Sequence, residues 1–150
     1  MTDDDLAQRC AEAMYAEDLA SQKAGIVISD VRAGHATARM TVIESMINGH
    51  EICHGGYLFL LADTAFAFAC NTYGQSTVAQ ACDIVFARPA HLGDELVATA
   101  AERLRFGRNG IYDVTVTCGD QVLAEFRGRS RTIGGSLLPE VGTGGSEEDA

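Results

Sequence analysis

A single acidic residue, Asp63, interrupts the most apolar segment of the chain, residues 54–71. Moving an ionised carboxylate out of water without a partner costs several kcal/mol. A helix that served only packing would carry an apolar residue at this position. Asp63 is therefore predicted to take part in chemistry, and a purely structural carboxylate bonded to nearby backbone is the alternative.

Two glycines, Gly55 and Gly56, follow His54 at the start of the same segment. Glycine lets a ligand approach the backbone closely. The first turn of a helix has N–H groups without an internal partner, and its dipole favours developing negative charge. These features predict an oxyanion site suited to acyl transfer. Close packing would also explain the glycines, and His54 is equally consistent with a capping residue.

Other polar residues near this segment allow two interpretations each. Asn48 is either a site residue or an ordinary turn residue. Thr64 either contacts a substrate or bonds back to its own helix, whereas Asn71 is predicted to end the helix. Cys53 is not favoured as a nucleophile, because it adjoins His54 in the chain and adjacent side chains seldom face each other.

The spacing of the two candidate groups limits how they can cooperate. Gly55 and Asp63 are eight residues apart, which is about 12 Å along a helix. One acyl carbon cannot touch both groups on the same helix, since attack requires contact at about 3–3.5 Å. If both act, they come from two subunits whose helices lie side by side and antiparallel. A catalytic interpretation therefore predicts a dimer.

The order of predicted elements is helix, two strands, long buried helix and four strands. The helices are expected at 3–19 and 55–71, and the Asn109-Gly110 pair is a strong hairpin signal. The strands are expected at 26–31, 35–42, 77–86, 96–106, 111–118 and 121–133. This pattern predicts an α+β fold with one antiparallel sheet curled around the central helix. Residues 1–135 are expected to form one domain, and residues 136–150 a disordered acidic tail.

Composition excludes several classes of protein. The formal net charge of -10 and the pI of about 4.6 argue against a nucleic-acid partner. Five cysteines, an odd number without a C-x-x-C pair, predict reduced thiols in the cytoplasm. The acidic start resembles no signal peptide, and the apolar segment is too short to span a membrane. Neither a metal site nor a cofactor is predicted.

The motifs around the apolar segment resemble those of the hotdog-fold acyl-CoA thioesterases, most closely the phenylacetic-acid-pathway type. The resemblance covers roughly residues 8–135. The residues that carry it are Asn48-Gly49-His50, Cys53-His54-Gly55-Gly56, Leu61-Ala62-Asp63-Thr64-Ala65, Ala69-Cys70-Asn71, Phe86-Ala87-Arg88-Pro89-Ala90, Gly93-Asp94, Gly110-Ile111-Tyr112-Asp113 and Phe126-Arg127-Gly128.

The resemblance implies roles for individual residues. Asp63 would be the catalytic carboxylate, as nucleophile or as base for water, and the Gly55 amide would polarise the thioester carbonyl. Asn48 and His54 would lie near the reacting centre. It also implies an acyl-CoA substrate and tetramers of dimers with shared active sites. The expected substrate contacts are Gly56 and Thr64, together with Arg88 and Arg108 near the coenzyme A phosphates.

Two other functions remain open on the sequence. One is a hotdog-fold dehydratase acting on a hydroxyacyl thioester through His54, although the Pro-Gly elements of that class are absent. The other is a non-catalytic acyl-CoA-binding protein, which would not need an acid in the buried helix. Aryl-acetyl groups fit the resemblance, and medium-chain acyl groups are the alternative.

Overall fold

A computed structural model of the chain describes residues 1–138. Three α-helices are present: α1 (Asp3–Glu17), α2 (Leu19–Lys23) and α3 (Gly55–Cys70), with a short 3-10 helix at Glu44–Met46. The strands are β1 (Val27–Arg32), β2 (His35–Thr41), β3 (Gln75–Phe86), β4 (Glu95–Phe106), β5 (Asn109–Cys118) and β6 (Gln121–Ser136). From residue 139 onward, the predicted tail lies outside the described residues.

The six strands form one antiparallel sheet in the order β1-β2-β4-β5-β6-β3. The helix α3 contacts all six strands, so the sheet curls around it. This confirms the predicted α+β arrangement. Because β1 and β3 are the two ends of the strand order, each has one edge without a partner strand in the described part of the chain. The α3 helix therefore contacts both edge strands of the sheet, β1 and β3.

Phe66 fixes the distance between α3 and the sheet. Its ring packs against Tyr112 and Phe126, with ring centroids 5.7 and 5.8 Å apart. Gly128 on β6 lies beneath it, and a Cβ at that position would be 2.7 Å from the Phe66 ring. Such a contact is far closer than carbon atoms allow, so glycine is required there. The pairing of Phe66 with Gly128 thus lets the helix approach the sheet closely.

The predicted hairpin between β4 and β5 exists, but its turn is shorter than the predicted connection over residues 107–110. Asn109 and Gly110 belong to β5, and the turn is formed by residues 107–108, since Phe106 pairs with Asn109. Gly110 has a packing role instead, because a Cβ there would lie 2.8 Å from the Ser130 hydroxyl. A close contact inside the sheet, not turn conformation, explains this glycine.

The predicted first helix, 3–19, is also too long. It ends at Glu17 because Asp18 starts a second helix, where its side chain accepts a hydrogen bond from the Ser21 N–H at 3.0 Å. Hairpin turns at Ala33-Gly34 and Gly119-Asp120 join the strand pairs β1–β2 and β5–β6. Within residues 1–138, none of the helices has the length and apolar character needed to cross a membrane.

Candidate active site

His54 caps the N-terminus of α3. Its Nδ1 accepts a hydrogen bond from the Gly56 N–H at 2.8 Å, and its own backbone N–H donates to the Met46 carbonyl at 2.7 Å. An accepting Nδ1 places the proton of the neutral ring on Nε2. The capping interpretation of His54 is therefore correct. The exposed Nε2–H remains a donor at the mouth of the helix.

The Gly55 amide is the free donor of this helix start. Among residues 1–138 no acceptor bonds its N–H. A Cβ at position 55 would lie 3.2 Å from the ring of Phe86, the last residue of β3. Glycine therefore allows both this close packing and access to the amide. Phe86 was not predicted as a neighbour of the site, because only the three-dimensional pairing of β3 brings it there.

Asp63 lies two turns further along α3 and is half-buried. The Cys82 thiol of β3 lies 3.9 Å from its Oδ1. Burial raises the pKa of the Asp63 carboxyl, and the hydrogen bond from Cys82 opposes this rise. None of the ion pairs within residues 1–138 includes Asp63. A partly desolvated carboxylate without a neutralising cation suits a base or a nucleophile.

Asp63 lies on the one stripe of α3 that its own chain leaves open. Most of the helix is buried, including Leu58, Leu61, Ala62, Thr64, Ala65, Phe66, Phe68, Ala69 and Cys70. The residues that keep some exposure are Gly56, Phe59, Leu60, Asp63 and Ala67, at helical spacing, together with Gly55 and Tyr57 in the first turn. The acid therefore lies on this open stripe, and the free amide lies in the exposed first turn of the same helix.

Asn48 organises the loop before α3. Its Oδ1 accepts hydrogen bonds from the N–H groups of His50 and Ile52, at 2.9 and 3.3 Å. A bridge between Ile47 and Cys53 closes the loop behind it. Asn48 therefore holds this turn through its side-chain oxygen. Its amide nitrogen has no hydrogen-bond partner within residues 1–138.

Thr64 faces away from the stripe that carries Asp63. Its buried hydroxyl lies 3.3 Å from the hydroxyl of Ser21 in α2, which in turn donates to Asp18 at 2.6 Å. The contact joins two helices inside the protein. This placement speaks against both interpretations of Thr64 drawn from the sequence, the substrate contact and the bond back to its own helix. Gly56, in contrast, stays exposed beside His54.

The predicted phosphate contacts lie at opposite ends of α3. Arg88 follows β3 near the helix N-terminus, where it donates to the Val122 carbonyl at 2.8 Å. Arg108 lies in the β4–β5 turn beside a cavity of about 200 Å³ at the C-terminal end of α3. The side chains and backbone around that cavity include Cys70, Tyr73, Arg105, Tyr112, Ser130 and Thr132. A larger groove of about 720 Å³ between α1 and β1 contains none of the predicted site residues.

The sequence and the fold both match known proteins. The family model described as the thioesterase superfamily matches residues 50–125. The acyl-coenzyme A thioesterase PaaI of Escherichia coli (strain K12) is 47% identical over 132 residues, which are 87% of this chain and 94% of that protein. The chain belongs to the thioesterase superfamily.

Solved structures show the same fold for this thioesterase. The PaaI protein from the phenylacetic acid degradation operon of E. coli superposes with a TM-score of 0.88 and 45% identity, covering 90% of this chain and 99% of that one. A variant of the phenylacetic acid degradation protein PaaI from Thermus thermophilus has a TM-score of 0.75 and 31% identity, covering 77% and 100%. The hotdog fold expected from the sequence motifs is confirmed.

The cap on α3 predicts how substitutions of His54 separate structure from chemistry. His54→Ala removes the acceptor for the Gly56 N–H and should lower the free energy of unfolding by about 0.5–2 kcal/mol. His54→Asn supplies another capping oxygen and should restore stability. Denaturant unfolding and turnover are measured on both variants. If Asn restores stability but not turnover, the imidazole serves the reaction; if Asn restores both, His54 acts only as a cap.

Proposed function

We propose that this thioesterase hydrolyses acyl-CoA to a free acid and coenzyme A, with an aryl-acetyl group such as phenylacetyl or hydroxyphenylacetyl as the acyl part. The observation that carries the proposal is Asp63, a half-buried carboxylate with a raised pKa on the open, otherwise apolar stripe of α3. The E. coli relative is an acyl-coenzyme A thioesterase, which supports the reaction. The phenylacetic acid operon of that relative supports the aryl-acetyl group.

The proposed chemistry divides between a donor and a carboxylate. The free Gly55 N–H, at the positive end of α3, binds the thioester oxygen and stabilises the negative charge that develops there. Asp63 then either attacks the carbonyl carbon or removes a proton from an attacking water. In the first route the carbon–sulfur bond breaks as a mixed anhydride with Asp63 forms, and water then hydrolyses the anhydride and restores the carboxylate. In the second route the activated water attacks the acyl carbon directly and the carbon–sulfur bond breaks. In both routes one water is consumed, its protons end on coenzyme A and the acid, and coenzyme A leaves as a thiol. The exposed Nε2–H of His54 and the amide of Asn48 would contact the substrate near this centre.

We propose that each active site is built from two copies of the chain. The Gly55 amide and Asp63 are about 12 Å apart on one helix, so a second, antiparallel α3 must supply one of them. The open stripe of α3 and the twelve-residue edge strand β3 give this partner a place to bind. This strand exposes three large apolar side chains, Val78, Val85 and Phe86, which are 44, 64 and 52% exposed. A long apolar edge strand of this kind favours pairing with another chain.

We also propose that the protein is a tetramer and is located in the cytoplasm. The resemblance to hotdog thioesterases supports a tetramer made of two such dimers. All five cysteines are free, which supports a reducing compartment such as the cytoplasm.

The antiparallel arrangement also brings the two predicted phosphate contacts together. Arg88 lies near the start of α3 and Arg108 beyond its end. When two copies of α3 run in opposite directions, Arg88 of one copy comes to the same end of the pair as Arg108 of the other. We propose that these two arginines meet the coenzyme A phosphates, which would otherwise be repelled by the acidic protein.

Replacing Asp63 tests the proposed reaction. Asp63→Asn keeps the shape of the side chain but removes the base and the nucleophile, so turnover should fall by about 10²–10⁴-fold. Asp120→Asn, in an exposed turn, is the matched control and should keep full turnover. Product masses are measured on aryl-acetyl and medium-chain acyl-CoA, and on a hydroxyacyl-CoA.

Each outcome of that assay has a clear meaning. Near-normal turnover by Asp63→Asn would show that another group performs the reaction. Loss of water from the hydroxyacyl substrate would indicate a dehydratase, and tight binding without any product would indicate an acyl-CoA-binding protein.

Replacing the arginines tests the coenzyme A contacts. Arg88→Gln and Arg108→Gln should each raise KM for acyl-CoA about tenfold, the equivalent of about 1.4 kcal/mol, and more at low salt than at high salt. KM for an N-acetylcysteamine thioester, which lacks the nucleotide, should stay unchanged. Arg39→Gln, on the distant strand β2, is the control. Equal effects on both substrates would mean that these arginines serve the fold instead.

A further inference from the structure

Cys82 is the side chain that the structure holds against the candidate catalytic carboxylate. Its Sγ lies 3.9 Å from Asp63 Oδ1, within the range of a sulfur hydrogen bond. No other side chain within residues 1–138 bonds this carboxylate. Cys82 is not part of the motif through which the sequence pointed to a site. Its position follows from β3, which carries it beside the middle of α3.

The packing that creates this contact is built into the sheet. Cys82 pairs across the strands with Gly128 of β6, the residue whose missing side chain admits the Phe66 ring. Phe66 is three residues after Asp63 on the same helix. The packing of the Phe66 ring against Gly128 therefore sets how close Asp63 comes to β3. The distance between the thiol and the carboxylate is thus fixed by the helix packing, and not by a loop.

The groups around Cys82 keep its thiol protonated, so that it can donate a hydrogen bond to Asp63. Burial first, then the charge and hydrogen bonding of Asp63, and then the charge of Asp83 raise the pKa of Cys82 to about 11. Cys70, on the same helix as Asp63, has its pKa raised to about 12, mainly by burial. Asp83 lies on the outer face, 3.7 Å from the Arg129 guanidinium. At neutral pH both thiols are therefore protonated, so neither is a reactive thiolate.

We propose that Cys82 is a positioning residue of the reaction, whose S–H holds Asp63 Oδ1 so that the other carboxylate oxygen points at the substrate or the attacking water. This inference rests on the proposed role of Asp63. A thiol is a weak donor, so it orients the carboxylate while removing little of its basicity. A strong donor such as an arginine would fix the carboxylate better but would make it a poorer base.

The proposal predicts the direction of a pH shift. Cys82→Ala removes a donor that favours the charged carboxylate, so the pKa of Asp63 should rise and the acid limb of kcat/KM should move to higher pH. The kcat should fall by about three- to tenfold, because the carboxylate is no longer held in one orientation. Cys82→Ser keeps a hydroxyl donor of shorter reach, and its acid limb should lie between those of wild type and Cys82→Ala.

Two measurements on the full-length protein test this. The first is the pH profile of kcat/KM for wild type, Cys82→Ala and Cys82→Ser, with Cys118→Ala as the control at another half-buried cysteine. The second is the 13C NMR titration of the Asp63 carboxyl, assigned by its loss in Asp63→Asn, which reads the contact without any turnover. The thermal midpoint of each variant is measured alongside.

The inference holds if the Asp63 titration and the acid limb move upward in the order wild type, Ser, Ala, while Cys118→Ala moves neither. It is overturned if Cys82→Ala leaves the Asp63 titration in place, or if it lowers only the thermal midpoint as Cys118→Ala does. Its failure is distinct from that of the proposed function. Full turnover by Asp63→Asn would remove the catalytic role of Asp63, whereas an inactive Asp63→Asn beside an unchanged Cys82→Ala would remove only the role of Cys82.

Discussion

The length of helix between Gly55 and Asp63 is the constraint on which the rest of this structure depends. A straight helix fixes the two groups about 12 Å apart, and no rearrangement of side chains can bring a backbone N–H across that distance. The free amide lies in the exposed first turn of α3, and the carboxylate lies on the open stripe of the same helix. The fold therefore presents two half-sites on one rigid rod, and the proposed chemistry requires a second copy to complete each of them.

The sheet serves this arrangement by covering the remaining sides of the helix. Six antiparallel strands bury most of α3, and the Phe66 ring reaches the sheet only because Gly128 has no side chain. The covering stops at β3, whose outer edge exposes Val78, Val85 and Phe86. Asp63 lies beside this boundary. It is buried enough for desolvation to raise its pKa, and its side chain keeps some solvent exposure.

Much of the fold could be predicted from the sequence because its signals are local. An apolar run of helical length around one acid predicts a wrapped helix, and alternating strands after it predict the sheet. The hairpin between β4 and β5 was predicted, but its turn is formed by residues 107–108. Gly110 lies inside β5, where a side chain would clash with Ser130, and only the folded sheet reveals this requirement. The predicted end of the first helix, at residue 19, was also wrong, because Asp18 caps a new helix there.

Some residues of the candidate site could be predicted from the sequence and others could not, for the same reason as in the fold. Asp63, His54 and the glycines could be found because their residue types are unexpected where they occur. Cys82 and Phe86 could not, because each meets the site through the placement of β3 beside α3, and neither residue is unusual in a strand. The contact of Thr64 with Ser21 of α2 could not be predicted either, because its position in the helix alone does not show which element it faces.

Complementation between two inactive variants tests the shared site most directly. Gly55→Pro removes the amide donor but suits the first turn of a helix, and Asp63→Asn removes the carboxylate. Gly55→Ala is the control, because it adds the same Cβ against Phe86 while keeping the N–H. If each site takes one group from each copy, mixing the two inactive variants should restore about one quarter of wild-type turnover, since half of the dimers are mixed and one of their two sites is intact. Folded mixed dimers, isolated through two different tags, that show no turnover would contradict a site shared between two copies.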